Sequence, residues 1–507
     1  MEQIWNNSFN DHFSERFQNI EKYYNFKDPT ITFKGQNTII VHRPVWRSSG
    51  WKVEQAIYNG EEILDIPLYT GKYKFKFERV GRAGSRWLVP PFKLVIKEPH
   101  VTIDGGNTPI KLSGSHNGII QNGEGRGTGA RGEKGYDYCQ IKNIDIEIEG
   151  ISSIGGGGIC QHNFSSNAKN TITNCHVYGP INQPNAGGIC GENCGSYGGY
   201  IGIFSCSHSG DIEANNAGGI CGRSCGNNGN VAIVSCYHSG HRSFDTIPKA
   251  TGYIKHKYAG GICGGSCGMK SGNVAIVSCY NSGAISSGAE GAGGICGTSC
   301  GQYDGNVAIV SCYNSGPITS GYSGGICGAW CGSDGGNVAI VSCYNSGAIE
   351  AQYAGGICGS NCGNINGNVA IVSCYTNSEV NNKLVGSISF GDYSPNRVEL
   401  YYNTGTQPPK RDKVKIYGSG SNLVNFTLPN KCKGYYPYNV IEILEPNELS
   451  LEKIKTLIET SDICITANTI NMCKAVKWWN TSCSVNNYKP SNTDLLRSFM
   501  ENIWCNY

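Results

Sequence analysis

Apolar and polar positions recur in the same order along the middle of the chain. A segment of the type Val-Ala-Ile-Val-Ser-Cys-Tyr follows a shorter apolar segment, Gly-Gly-Ile-Cys, in copy after copy. β-branched residues favour extended structure, and the Gly-rich segments between them permit the positive φ angles of tight turns. The pattern therefore predicts short strands separated by turns. It argues against the helix pairs of helical repeats.

Each copy places cysteines at fixed positions, and the copies recur about every 31 residues. The first cysteine of each copy is Cys160, Cys190, Cys221, Cys263, Cys296, Cys327 and Cys358. A second cysteine follows four positions later, at Cys194, Cys225, Cys267, Cys300, Cys331 and Cys362. The third is Cys175, Cys206, Cys236, Cys279, Cys312, Cys343 and Cys374. The first copy departs from this pattern and has Phe164 at the second position.

One copy is too short to bury its own apolar side, so the copies must stack. Stacked coils about 4.8 Å apart pair every strand and share one core. The sequence therefore predicts a right-handed parallel β-helix, or β-solenoid, over residues 101–385, with identical residues in columns along its axis. Two such columns are Tyr237, Tyr280, Tyr313, Tyr344 and Tyr375, and Asn230, Asn273, Asn306, Asn337 and Asn368.

The two ends of the chain lack the repeat and predict separate modules around the all-β core. Residues 1–100 read as a mixed N-terminal cap, with an amphipathic helix over 1–28 followed by short strands. Residues 386–507 read as an α+β module with helices over 450–461 and 491–504. Such a module would cap the solenoid or mediate oligomerisation.

Candidate partner contacts lie in an insertion and in the C-terminal module. The spacing between Cys221 and Cys263 exceeds the period by about eleven residues, and insertions in solenoids become loops that often form a contact face. A solvated loop without a role is the open alternative. Tryptophans of the C-terminal module are candidate anchors. The candidates are Arg242, Lys249, Lys255, Lys257, Trp478, Trp479 and Trp504.

The amino-acid composition limits the classes of partner that the chain is expected to bind. Charged residues are 16% of the 507 residues and the formal net charge is +3, whereas ordinary domains carry about a quarter charged residues. This surface offers no electrostatic footprint for nucleic acid, and no apolar run is long enough to predict a membrane span. The first 26 residues contain no apolar signal region. We therefore expect synthesis in a host cytoplasm without a signal peptide.

The repeat Gly-Gly-Ile-Cys-Gly followed by Val-Ser-Cys-Tyr-Asn-Ser-Gly-x-Ile resembles the GLUG repeat over about residues 155–380. Cysteine here replaces Val and Ser of that pattern. The family includes adhesins and stalks of bacterial surface peptidases, but the His-Glu-x-x-His motif of the peptidases does not occur in this chain. The cysteine-rich form is also similar to repeat proteins of giant viruses of amoebae. That resemblance implies a virion or cytoplasmic assembly.

Three roles for the cysteines remain open. They are buried thiols, which act as small hydrophobes, disulfides, or metal ligands. The Cys-x3-Cys spacing differs from the Cys-x2-Cys of zinc sites, so no metal or other cofactor is assigned, and His208 and His238 are expected at the surface. Because the first copy keeps Cys160 and Cys175, we predict disulfides between the first and third cysteines of each copy, such as Cys296–Cys312. The second cysteine of each copy would be free or would pair between coils.

The sequence predicts no catalytic residues and no enzyme activity. Acidic residues in the repeats are few and do not align into the carboxylate pairs of glycosidases. Two functions remain. The first is a structural, self-assembling protein of a virion, fibre or tubule, whose partners are further copies or other virion proteins. The second is an adhesin that binds glycans or a receptor.

Overall fold

The computed structural model contains strands across most of the N-terminal and central chain. It describes residues 29–34, 38–47, 50–59, 64–78, 87–89, 91–112, 114, 116–122, 135–240, 253–254, 258–286, 291–310, 312–319, 321–341, 343–350, 354–365, 367–372, 374–376, 397–401 and 404–405. These residues form 31 strands and no helix. In this part of the chain, no helix has the length and apolar character of a membrane span.

The largest sheet has 14 strands, which lie side by side along the solenoid. In spatial order they are β3 (Gly50–Asn59), β2 (Thr38–Arg47), β1 (Thr30–Lys34), β5 (Gly71–Glu78), β8 (Val101–Asp104), β11 (Cys139–Lys142), β13 (Lys169–Thr173), β15 (Tyr200–Phe204), β17 (Asn230–Val234), β20 (Asn273–Val277), β23 (Asn306–Val310), β26 (Asn337–Val341), β28 (Asn368–Val372) and β30 (Arg397–Tyr401).

A second sheet of 11 strands forms another face of the solenoid. Its strands are β31 (Thr404–Gly405), β29 (Tyr375–Thr376), β27 (Tyr344–Asn345), β24 (Tyr313–Asn314), β21 (Tyr280–Asn281), β18 (Tyr237–Ser239), β16 (Ser207–Ser209), β14 (His176–Tyr178), β12 (Asp145–Glu147), β9 (Pro109–Leu112) and β6 (Trp87–Val89).

Two three-stranded sheets complete the set. One contains β10 (Ile120–Asn122), β7 (Phe92–Ile96) and β4 (Leu64–Leu68), and the other contains β19 (Tyr253–Ile254), β22 (Ala284–Ser286) and β25 (Ile318–Thr319). Ile120 forms a parallel bridge with Cys160, and parallel bridges join the first cysteines from there to Cys358. The Gly-Gly-Ile-Cys segments therefore continue the first of these sheets as a third face.

The register confirms one coil per copy. From β17 to β28 each Asn-Val-Ala-Ile-Val strand pairs in parallel with the next, residue on identical residue. The predicted tyrosine column pairs in the same way from Tyr237 to Tyr375. The described part of the chain is therefore all-β with long parallel sheets, as expected of a β-solenoid.

Both ends of the parallel ladder extend past the predicted boundaries. β5 pairs with β8 and β4 pairs with β7, so the ladder begins within residues 1–100. β28 pairs with β30, so it continues past residue 385. At the N-terminal edge, β1, β2 and β3 form an antiparallel meander that extends the sheet. The helices predicted over 1–28, 450–461 and 491–504 lie outside the described residues.

Alternate residues of the repeated strand build the interior. Val274 and Ile276 belong to a continuous buried core with the corresponding residues of other coils. The paired glycines of Gly-Gly-Ile-Cys are required by the close approach of neighbouring backbones. A Cβ added to Gly294 would lie 2.1 Å from the carbonyl oxygen of Gly325, which is closer than real Cβ contacts come. The motif therefore sets the distance between coils.

Candidate functional site

The cysteines form the most distinctive chemical feature of the interior. The first and second cysteines of the coils are all fully buried, and the third cysteines are at most 1% exposed. The predicted columns are therefore present, and they line the core. No disulfide joins any of the described cysteines.

First and second cysteines come into direct contact across coils. The Sγ atom of Cys300 lies 3.2 Å from that of Cys327 in the next coil. The Sγ atom of Cys331 lies 3.8 Å from that of Cys358 and 3.1 Å from that of Cys362. These two sets of cysteines therefore form one combined column of sulfur, which we call the mixed thiol column.

Third cysteines occupy a different environment. The Sγ atom of Cys312 accepts a hydrogen bond from the backbone N–H of Cys279 at 3.4 Å and lies 3.4 Å from the carbonyl oxygen of Val310. Cys236 has the same contacts with Cys206 and Val234. The backbone thus engages each of these sulfurs.

This arrangement bears on the predicted disulfides, such as Cys296–Cys312. The sulfur contacts of the structure join first cysteines with second cysteines, and the third cysteines follow a column of their own. The pairing of first with third cysteines stays a prediction. The sequence left open whether the second cysteines are free or pair between coils, and the closest sulfur contacts are those that second cysteines make with the next coil.

Burial raises the pKa of several of these thiols. Loss of hydration raises the pKa of Cys190 and Cys221 in the mixed thiol column and of Cys206 and Cys279 among the third cysteines. It also raises the pKa of Cys139, in the coil before the first copy, to about 12. A thiolate is disfavoured in a medium of low polarity. These groups are therefore neutral thiols at physiological pH.

The expectation that His208 and His238 lie at the surface is wrong. Both are fully buried, and their rings stack at 5.1 Å between centroids. The Nδ1 atoms of the two rings are 3.0 Å apart, and Nε2 of His208 is 2.8 Å from the carbonyl oxygen of Gly179. Loss of hydration lowers the pKa of His208 to about 4 and lowers that of His238 as well. Both rings are therefore neutral at pH 7.

The histidines occupy a column that continues as asparagine. His238 pairs with Asn281 of the next coil, followed by Asn314 and Asn345. These amides are fully buried. Nδ2 of Asn281 donates to Oδ1 of Asn314, and Nδ2 of Asn314 donates to Oδ1 of Asn345, both at 2.7 Å. Sequence analysis missed this inner ladder, although the recurring Tyr-Asn pair was its signal.

The two predicted ladders lie nearer the surface. Asn273, Asn306 and Asn337 each donate to the Oδ1 of the preceding asparagine at 3.0–3.1 Å. The rings of Tyr280 and Tyr313 stack at 5.1 Å. The hydroxyl of Tyr280 also hydrogen-bonds to Ser315 of the next coil at 2.8 Å. Both ladders therefore stabilise the stacking of coils.

The remaining candidate residues cannot be placed in this architecture. The partner-contact candidates all lie outside the described residues: Arg242, Lys249, Lys255, Lys257, Trp478, Trp479 and Trp504. They stay predictions.

The similarity of this chain to known proteins is low. No family model and no curated protein matches the chain. It is similar to the crystal structure of "a putative immunoglobulin A1 protease from Bacteroides ovatus", with 16% identity over 68% of this chain and 78% of that chain and a TM-score of 0.30. This neighbour contradicts the prediction that the chain is not an enzyme, and we withdraw that prediction. A likeness of this size assigns no activity to the chain.

Proposed function

We propose that the chain is a structural, self-associating right-handed β-helix, a component of a virion, fibre or tubule. The observation that carries this proposal is the unbroken parallel ladder from β1 to β30, whose coils repeat residue on residue. The similarity of its cysteine-rich repeats to those of giant viruses supports the viral setting.

The ladder forms a stiff rod. Its 12 parallel strands from β1 to β30, spaced about 4.8 Å apart, correspond to a length of about 53 Å. Columns of stacked rings and hydrogen-bonded amides run along the same axis. Because every coil is bonded to both neighbours over several columns, bending the rod would break many contacts together.

The N-terminal edge favours association between copies. Within the described residues β3 pairs with β2 alone, so this ten-residue strand is the edge of the described sheet. Such edges pair readily with further strands. Ile57, near the C-terminal end of β3, is 56% exposed. The low charge of the chain opposes association only weakly.

Electron microscopy and light scattering of the purified full chain test this proposal. We expect filaments, tubules or defined oligomers whose mass rises with concentration. Ile57→Lys should weaken association through this edge by placing a charge on it, with an unchanged far-UV spectrum. Ile154→Lys is the matched control, because Ile154 is 64% exposed but lies within the solenoid. A wild-type chain that stays monomeric at all concentrations would refute the proposal.

Glycan binding is a second candidate function, and individual exposed aromatic rings on the solenoid favour it. Tyr303, Tyr322 and Trp330 are 48%, 38% and 37% exposed. Trp330 adopts a φ of 60°, an uncommon conformation for a bulky residue. In the tyrosine column, Tyr237 is also 41% exposed, whereas the stacked rings that follow it cover one another. A glycan array probed with wild type and with Trp330→Ala tests this candidate, and equal binding by both would count against it.

A further inference from the structure

The mixed thiol column differs from the column of third cysteines in what surrounds each sulfur. A third cysteine such as Cys312 has a backbone donor and backbone acceptors within hydrogen-bonding range. In the mixed thiol column the sulfurs of Cys300 and Cys331 instead face other sulfurs, at 3.1–3.8 Å. Two columns of the same residue type therefore offer different chemistry.

Successive coils assemble these sulfurs into groups of three. The Sγ atoms of Cys300, Cys327 and Cys331 all lie within 4.8 Å of one another. The same holds for Cys331, Cys358 and Cys362. In each group two thiols come from one Cys-x3-Cys segment, and the third comes from the second position of the preceding coil. Cys331 belongs to both groups.

The ligand set identifies the class of metal. Sulfur alone, without carboxylate or imidazole, selects soft cations and disfavours Mg²⁺ and Ca²⁺. Structural zinc prefers four ligands in a tetrahedron, whereas each group here supplies three. Three sulfurs around one centre suit a soft monovalent ion, and a shared sulfur can bridge two such ions.

We propose that the mixed thiol column binds Cu(I). One ion lies among Cys300, Cys327 and Cys331, and a second lies among Cys331, Cys358 and Cys362, with the sulfur of Cys331 bridging them. Copper enters and remains as Cu(I), so no electron is transferred. Cu–S bonds replace S–H bonds, and the displaced protons pass to solvent.

Anaerobic titration of the full chain tests the proposal. The protein is reduced and freed of reductant, its thiols are counted, and Cu(I) is added against a chromogenic Cu(I) chelator. We expect at least two Cu(I) ions to be retained per chain, proton release in weak buffer, and an X-ray absorption spectrum with sulfur as the neighbouring atom. If the folded chain takes up none, it is refolded in the presence of Cu(I), since the column is buried. Failure to retain copper in both experiments overturns the proposal.

Matched variants locate the ions. Cys331→Ser removes the shared ligand and should lower the retained copper by about two equivalents, whereas Cys300→Ser should lower it by about one. Cys312→Ser is the control, because that thiol is equally buried but belongs to the third cysteines. It should retain the wild-type amount. An equal loss in Cys312→Ser and Cys331→Ser, with far-UV spectra like wild type, would overturn the assignment.

Oxidation is the competing fate of the same sulfurs. A disulfide between Cys331 and Cys362 would form with loss of two protons, and two electrons would pass to an oxidant such as molecular oxygen. Mass mapping of the unreduced protein detects that bond. If this bond is present in the protein as purified, resists reductant while the chain is folded and blocks copper uptake, the site is a structural disulfide and the metal proposal fails.

Discussion

The inner asparagine ladder tests how strongly burial increases the contribution of a hydrogen bond to the free energy of unfolding. In wild type, Nδ2 of Asn314 donates to Oδ1 of Asn345 at 2.7 Å and to the carbonyl oxygen of Gly316 at 2.9 Å. Its Oδ1 accepts from Asn281 at 2.7 Å. Asn314→Ala removes all three bonds from a fully buried position.

The size of the destabilisation depends on which hydrogen bonds the neighbouring asparagines keep in the variant. Oδ1 of Asn345 loses this donor within the core, which costs about 1–3 kcal/mol. Nδ2 of Asn281 keeps its bond to the carbonyl oxygen of Gly283 at 3.1 Å, so its loss is about 0.5–1.5 kcal/mol. We expect Asn314→Ala to lower the free energy of unfolding by about 2–4 kcal/mol.

Asn306→Ala is the matched control. Asn306 lies in the same copy and makes amide-to-amide bonds of the same kind, at 3.1 Å, but it is only half-buried. Water can replace its bonds, so we expect a loss below about 1 kcal/mol. Urea unfolding followed by far-UV circular dichroism measures both, with unchanged denaturant slopes as the check on comparability. Equal losses in the two variants would refute the reasoning.

Three further predictions concern single columns of the solenoid. Gly294→Ala should destabilise the chain by about 3 kcal/mol or alter the spacing between coils, because the new Cβ would clash with the carbonyl oxygen of Gly325. Urea unfolding measures the loss of stability. An unchanged free energy of unfolding would contradict the close approach of the two backbones. The buried histidines should make stability depend on pH. The unfolded chain binds a proton near pH 6.5 but His208 only near pH 4, so stability is complete above pH 6.5 and falls by about 3 kcal/mol towards pH 4. Thermal melts of wild type and of the double variant His208→Asn, His238→Asn test this, and an unchanged pH dependence in the variant would exclude these rings as the cause. Phe164→Ala should cost about 3–5 kcal/mol through a cavity, measured by the same urea titration, and a loss below 1 kcal/mol would show that the first coil collapses around it.

The tertiary structure adds a third sulfur to the Cys-x3-Cys pairs because it stacks one coil on the next. Along the chain, Cys327 and Cys331 form a Cys-x3-Cys pair without a third ligand. Stacking brings Cys300 of the preceding coil to 3.2 Å from Cys327, a distance that no local spacing encodes. The same holds for His208 and His238, which look like surface residues in a polar segment and become a buried stacked pair.

The sequence alone determined the repeat, the strand and turn pattern, and the columns of identical residues. These follow from local preferences of β-branched residues and glycine and from the need of each coil to bury its apolar side against the next. Only the tertiary structure decided which columns are buried, which sulfurs touch, and that the parallel ladder begins within residues 1–100. Those properties depend on the geometry of the turns within each coil. Residues about thirty positions apart become neighbours only when these turns stack one coil on the next.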